Sequence, residues 1–369
     1  CLDGGVSGDS LSRWAYLYSR GAIMTLIQQY WHVKRKKRAY IVTAAVGVMA
    51  AFVIASTVRL EGSTWQLFLA LYHYFSGTIS PEYQEIDGLL LVIRLPRLIM
   101  ALLAGCALSV AGCVMQSLTR NSLASPFTTG VAAAATFGAA VGIVIGASTL
   151  PEVILYSFSA SMLCVFLVYM VSYKAGTTAA SVVLVGIGLN YLFSAFTESI
   201  KFYAKGYQLE ALIQWSFGTL ARADWDSVFY SALAVLVSCF GLYRYHTKLD
   251  ILYGNNDEAA KSLGVATERV RFVTGVLSVF MTATVLCFTG VIGFVGLIAP
   301  HISRSLIGVE HRYGLPFSAL IGMLLVLAAD TIGHYALPPN DIPVGVVMSF
   351  LGVPLFIHLV LKRRTGFHA

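Results

Sequence analysis

Two arginines three residues apart, in the run Arg94-Leu95-Pro96-Arg97, are the side chains of this sequence best suited to holding an anion. A guanidinium presents a rigid fork of N–H donors that matches a carboxylate or phosphate at two points. Pro96 belongs at a helix start, where its missing N–H is not needed. Both a snorkelling contact to lipid phosphate and a landing site for an acidic partner fit the pair.

The rest of the chemical inventory is sparse. There is no His-Glu-x-x-His, no Gly-x-Ser-x-Gly and no Gly-Lys dipeptide. The sequence therefore offers no catalytic set, and it lacks the loop with which nucleotide-hydrolysing proteins cradle phosphate. Cys106, Cys113, Cys164, Cys239 and Cys287 lie in apolar runs without a C-x-x-C pair. Free cysteines there pack as small hydrophobes, and neither a metal nor a cofactor is expected on this chain. Groups that couple movement to an ion gradient sit deep within membrane spans. Here Glu152, Glu198, Asp330 and Asp341 fall near the ends of apolar runs, and His301 and Arg304 either begin a helix or line its inner end.

The elements that hold these residues follow from composition. The chain has 369 residues, 57% of them hydrophobic and only 12% charged, against about 25% charged in soluble domains. An ordinary soluble enzyme is excluded. Segments 39–58, 98–119, 175–197, 227–243, 272–303, 313–329 and 342–361 contain no ionised residue, and 121–173 contains only Glu152. A transmembrane helix needs about 20 apolar residues. Segment 121–173 is long enough for two, and 272–303, broken by glycines, holds one and the start of another. The expectation is an all-α polytopic membrane protein of ten transmembrane helices, with a membrane domain over 40–364, an N-terminal cytoplasmic or interfacial segment over 1–39 and a short tail over 365–369. The basic run Lys34–Arg38 precedes the first span and does not open a signal peptide.

Lys and Arg favour the cytoplasmic side of spans. With the N-terminus inside and ten spans, 19 of the 25 basic residues fall inside, so both termini are expected in the cytoplasm. The net charge of +7 is then a topology signal, and no nucleic-acid partner is called for.

Three loops exceed a simple turn. The outer loop 59–94 spaces Trp65, Phe68, Leu69, Tyr72 and Phe75 as an interfacial amphipathic helix would. The outer segment 201–226 carries Trp215 and Trp225, as an aromatic belt at the lipid interface would. In the inner loop 243–271, Asn256 or Asp257 caps a short helix through Leu263, Gly264 supplies a left-handed end, and Thr267 caps the next helix. That loop is either a connector or a docking element. Glycines recur at close-packing intervals, Gly105 with Gly112 and Gly138 with Gly142 and Gly146. The run Gly290, Gly293 and Gly296 before Pro300 predicts a helix break, which membranes tolerate only under a protein cover or beside a water-filled path.

Five ordered segments resemble the permeases of type II ABC importers for iron-siderophore, haem and cobalamin: RLPRLIMALLAGCALSVAGCVMQSLTRNSLASP from Arg94, GVAAAATFGAAVG from Gly130, EAAKSLGVATERVR from Glu258, GVIGFVGLIAPHISR from Gly290 and DIPVGVVMSFLGVPLFIHLV from Asp341. The resemblance implies ten helices per subunit, two permease subunits (a homodimer is favoured), two cytoplasmic ATPase subunits that carry ATP and Mg, and an external substrate-binding protein, all at the inner membrane of a bacterium. It assigns Arg94 and Arg97 to binding-protein docking and Glu258, Ala259, Ser262, Leu263 and Gly264 to an ATPase-coupling loop. Phe127, Thr128, Thr129, Gly130 and Phe137 become candidates for the pathway lining. The family's Asn-Pro-Leu-Ala-Asp/Glu-Pro is Asn121-Ser122-Leu123-Ala124-Ser125-Pro126 here, without the first proline and the acid. His334 stands where some members carry a further outer arginine, and it introduces a group that titrates in the physiological range. The implied cargo is a ferric siderophore. The alternatives are haem or cobalamin, or a secondary transporter acting alone.

Overall fold

Backbone amides in hydrocarbon must be paired within their own segment, so the charge-free runs become helices. The computed structural model describes residues 8–57, 89–146, 149–174, 178–336 and 341–365. The long helix α1 (Gly8–Thr57) is followed by a π-turn at Leu89–Arg94 that continues into α2 (Leu95–Thr119). A 3-10 turn (Pro126–Thr129) leads to α3 (Val131–Ile145), α4 (Leu150–Lys174) and α5 (Ala179–Tyr203). The short α6 (Gly206–Ser216) precedes α7 (Trp225–Arg244), and α8 (His246–Gly254) and α9 (Asp257–Ser262) precede α10 (Thr267–Thr289). The chain closes with α11 (Val295–Ile307), α12 (His311–Ala336) and α13 (Val344–Thr365). Among the described residues seven helices are long and apolar enough to cross a membrane, and α3, α11 and the 344–358 part of α13 are shorter apolar helices. Together they are the ten expected.

The span ending in α2 is the centre of the molecule: 83% of its most apolar stretch is buried, against 22% for the span in α1. It packs against α7, α10, α11 and α12. Glycine permits the approach. A Cβ on Gly105 would run into the backbone of Gly322 in α12, and one on Gly112 into the backbone of Gly296 in α11. Gly138 meets the backbone of Tyr156 in α4 in the same way. These glycines serve helix contact, the plainer of the two uses their spacing allows. Gly112→Ala should therefore destabilise the chain by about 1–3 kcal/mol, as overpacking does. A melting temperature in detergent unchanged from wild type would refute the contact.

The predicted break is present. The backbone leaves the helix at Gly290 (φ 72°), and α11 restarts after Phe294, also left-handed at φ 66°. Protein covers it: Thr219 N–H donates to Thr289 O at 2.7 Å, and Gly345 of α13 lies against the carbonyls of Phe217 and Val291. A cavity of about 640 Å³ lies beside the break, between Phe217, Gly293, Val346 and Phe350.

Two expectations change, and one pair of alternatives is decided. Trp215 is not in a belt: α6 folds inward and buries it to 2% exposure, while Trp225 remains half-exposed and donates Nε1–H to Leu91 O at 3.0 Å. Thr267 is not a cap. It is the first residue of α10, buried together with Val265 by the turn at Gly264, and Ala266 takes the cap position. Asn256, and not Asp257, caps α9, its side chain accepting from Ala259 N–H at 2.9 Å. The aromatic segment from Trp65 to Phe75 lies outside the described residues.

Candidate functional site

Two polar clusters sit at opposite ends of the buried helix α2. At its start, Arg94 donates Nε–H and Nη2–H to Ala55 O near the end of α1, at 3.3 and 2.9 Å. Arg97 donates Nε–H to both Asp330 oxygens at 3.1 Å, Nη2–H to Oδ1 at 2.9 Å, and Nη1–H to Asp341 Oδ2 at 2.8 Å. His334 Nδ1 lies 2.8 Å from Asp341 Oδ1. Arg94, Arg97, Asp330 and His334 thereby line one cavity of about 260 Å³.

The three residues expected to form an outer docking patch are thus brought together, but Arg97 is already engaged by two carboxylates of its own chain. Burial opposes ionisation of Asp341, and the hydrogen bonds from Arg97 and His334 outweigh it, holding the carboxyl below its ordinary range. Asp330 and Asp341 stand out in the sequence as acids near the ends of apolar runs, but not as partners of Arg97, because they lie 233 and 244 residues from it.

At the other end, Arg120 caps α2 in a left-handed conformation (φ 50°), its N–H directed at the carbonyls of Gln116 and Ser117. Its Nε–H donates to Leu252 O of α8 at 3.0 Å, and its Nη2–H donates to Asp257 of α9. Asp257 also takes Nη1–H and Nη2–H of Arg271 in α10, both at 2.7 Å. One carboxylate therefore joins the short loop helix to the central helix and to α10. A second joint runs through His311 at the start of α12: its N–H and Nδ1 face Asp250 Oδ1 of α8 at 2.8 and 2.6 Å, and its Nε2 faces Ser117 Oγ of α2 at 2.5 Å. No short-range pattern in the sequence announces these pairs.

The hydrogen bonds from Arg271, supported by Arg120, hold the Asp257 carboxyl below its ordinary range against a smaller opposing effect of burial. A carboxyl depressed in the folded state contributes fully above its unfolded value of about 3.9 and loses that contribution as pH falls through the folded value. Hydrogen exchange over 257–271 should therefore stay slow at neutral pH and accelerate only below pH about 4. Asp257→Asn should exchange fast at neutral pH; protection equal to wild type there would refute the joint.

Around it, Ala260 is fully buried and anchors α9, whereas Leu263 is 61% exposed. Ser262 Oγ–H donates to Ala259 O at 2.8 Å, and Leu263 N–H reaches the same carbonyl at 3.1 Å. Gly264 takes φ 81° with open space around its Cβ position. Glu258, Ala259, Ser262, Leu263 and Gly264 thus form one compact surface turn.

The pathway candidates are packed within the chain. Thr128 and Thr129 donate to Ser125 O and Pro126 O at 2.7 and 2.6 Å, Gly130 (φ 81°) lies against Gly186 and Asn190 of α5, and Phe127 packs on the core. Phe137 meets the rings of Phe193 and Phe196 at 5.5 and 5.6 Å. Among the described residues no three His, Cys, Asp or Glu side chains are grouped to hold a metal ion.

Among the described residues, nine apolar helices around a buried central one, with its ion pairs at its two ends, make a multi-pass membrane protein. The chain belongs to the FecCD transport family, whose model matches residues 46–362. It is 34% identical over 277 residues to the hemin transport system permease protein HmuU of Yersinia pestis, covering 74% of this chain and 83% of that protein. It is also 34% identical over 282 residues to the iron(3+)-hydroxamate import system permease protein FhuG of Bacillus subtilis, covering 73% and 83%. An inward-facing ABC transporter of metal-chelate type has the same fold at a TM-score of 0.77 and 27% identity, over 87% of this chain and 98% of that one. The protein is thus the permease subunit of an ABC importer, a class in which partner ATPases hydrolyse ATP.

Proposed function

We propose that this permease carries a ferric siderophore into the cytoplasm across a bacterial inner membrane, as a homodimer with both termini inside. The loop Glu258–Gly264 seats an ATPase subunit that binds ATP and Mg, and the Arg94, Arg97 and His334 cluster receives an external binding protein. The observation that carries this reading is the pair of joints on α2: Asp257 with Arg120 at one end, Arg97 with Asp330 and Asp341 at the other. A rigid helix gripped at both ends suits the transmission of a partner's movement between two faces of the membrane. The exposed apolar side chains of α5 and α13, Tyr191 and Phe350 among them, support contact with a second copy.

Identity does not choose the cargo, since the haem and the hydroxamate relatives match equally at 34%. Uptake of radiolabelled ferric siderophore, haem and cobalamin by the complex with its cognate binding protein tests the reading. Siderophore iron should be accumulated in preference to the other two; preferential uptake of haem or cobalamin would overturn that assignment while keeping the import function.

A further inference from the structure

Between α4 and α10 lies a cavity of about 700 Å³ whose walls are Met162, Phe166, Tyr169, Met170, Phe272 and Val276. Its size lies within the ~300–1,000 Å³ of small-molecule sites. The slot is held in shape. Tyr169 O–H donates to Arg271 O at 3.2 Å, and its ring meets Phe272 edge-on at 5.2 Å. Gly275 leaves room for the Tyr169 phenol, because a Cβ there would collide with it.

One end of the slot opens between Lys174, the last residue of α4, and Arg269, in the first turn of α10. Both are exposed, and neither pairs with an acid among the described residues. Glu268, the acid on the same rim, faces Lys261 at 3.4 Å. Two cations therefore stand unmatched at the membrane end of an apolar groove between two spans. Basic pockets between transmembrane helices recognise anionic lipid headgroups.

We propose that this groove binds an anionic glycerophospholipid, one acyl chain lying in the slot and the phosphate held between Lys174 and Arg269. Only the leaflet, the inner one, rests on the topology proposed above. A protein helix is a poorer occupant, because the slot is apolar within and doubly cationic at one end, a match to a single tail with an anionic head. Bound there, the lipid lies against the first turn of α10, next to Arg271 and its joint with Asp257.

The test is lipid retention by the purified full chain in nanodiscs of equal phosphatidylglycerol and phosphatidylcholine, read by native mass spectrometry. Wild type should retain phosphatidylglycerol over phosphatidylcholine by on the order of tenfold. Lys174→Gln with Arg269→Gln should bring the ratio near unity, and Val276→Trp, which fills the slot, should release the lipid with both cations kept. No preference in wild type, a preference that survives both variants, or a self-association that Val276→Trp abolishes while lipid retention stays unchanged would overturn the proposal. Labelling Ser262→Cys with an impermeant maleimide reads the topology separately: labelling from outside would move the site to the other leaflet, and a phosphatidylglycerol preference that persisted would still uphold it.

Discussion

Arg97→Ala should destabilise the folded chain by about 3–5 kcal/mol, the loss seen when one partner of a buried ion pair is removed. The Asp330 side chain is only 4% exposed and that of Arg97 14%, so water cannot replace the guanidinium. Four N–H···O contacts vanish at once, three on Asp330 and one on Asp341. Arg97→Lys keeps a charge but lacks the fork that reaches both carboxylates, and it should fall between alanine and wild type. Arg97→Met with Asp330→Leu should recover most of the loss, since an apolar pair of similar volume avoids burying an unpaired charge. Unfolding in mixed micelles measures all three, and an Arg97→Ala variant as stable as wild type would show that the pair holds nothing. The same geometry decides how docking is tested. Loss of uptake in an Arg97 variant would report on folding, so Arg94→Glu with Arg97 intact is the informative change. It should weaken the binding protein's affinity in a low-salt pull-down; unchanged affinity would remove Arg94 from the docking surface.

Leu263→Asp with Gly264→Val should lower ATP-driven uptake at least tenfold while leaving the permease folded. Leu263 is an exposed apolar residue on a turn anchored from behind by the fully buried Ala260, the arrangement of an interface anchor, whose loss removes about 2 kcal/mol or more of binding. Gly264 acts through its backbone. Nothing crowds its Cβ position, but φ is 81°, a left-handed conformation that costs an L-residue roughly 1–2 kcal/mol. Asn tolerates that conformation better than Val, so Gly264→Asn should keep most of the uptake. Unaltered uptake in the double variant would reduce the loop to a connector.

Most of the fold was legible in the sequence because its determinants are local. Runs without charge mark spans whatever their neighbours are, and the Asn256-to-Gly264 turn is written in nine consecutive residues. What depended on distant partners was not. Arg97 reads as an outward cation until Asp330 and Asp341 arrive from the far end of the chain, and Arg120 reads as a topology signal until Asp257, 137 residues on, meets it. Gly105 and Gly112 announce close contact but not Gly322 and Gly296 as the backbones contacted. Trp215 resembles an interfacial residue because tryptophan serves membrane surfaces and cores alike, and only the inward fold of α6 distinguishes them.

The proposed coupling is that partner ATPases supply the energy for movement through the loop around Leu263. Its most direct test is ferric-siderophore accumulation in proteoliposomes, comparing the full complex of permease, ATPases and binding protein with the permease alone. Accumulation is expected by the full complex only when ATP is supplied on the ATPase side, and none by the permease alone under a proton or sodium gradient. Gradient-driven accumulation by the permease alone would contradict it.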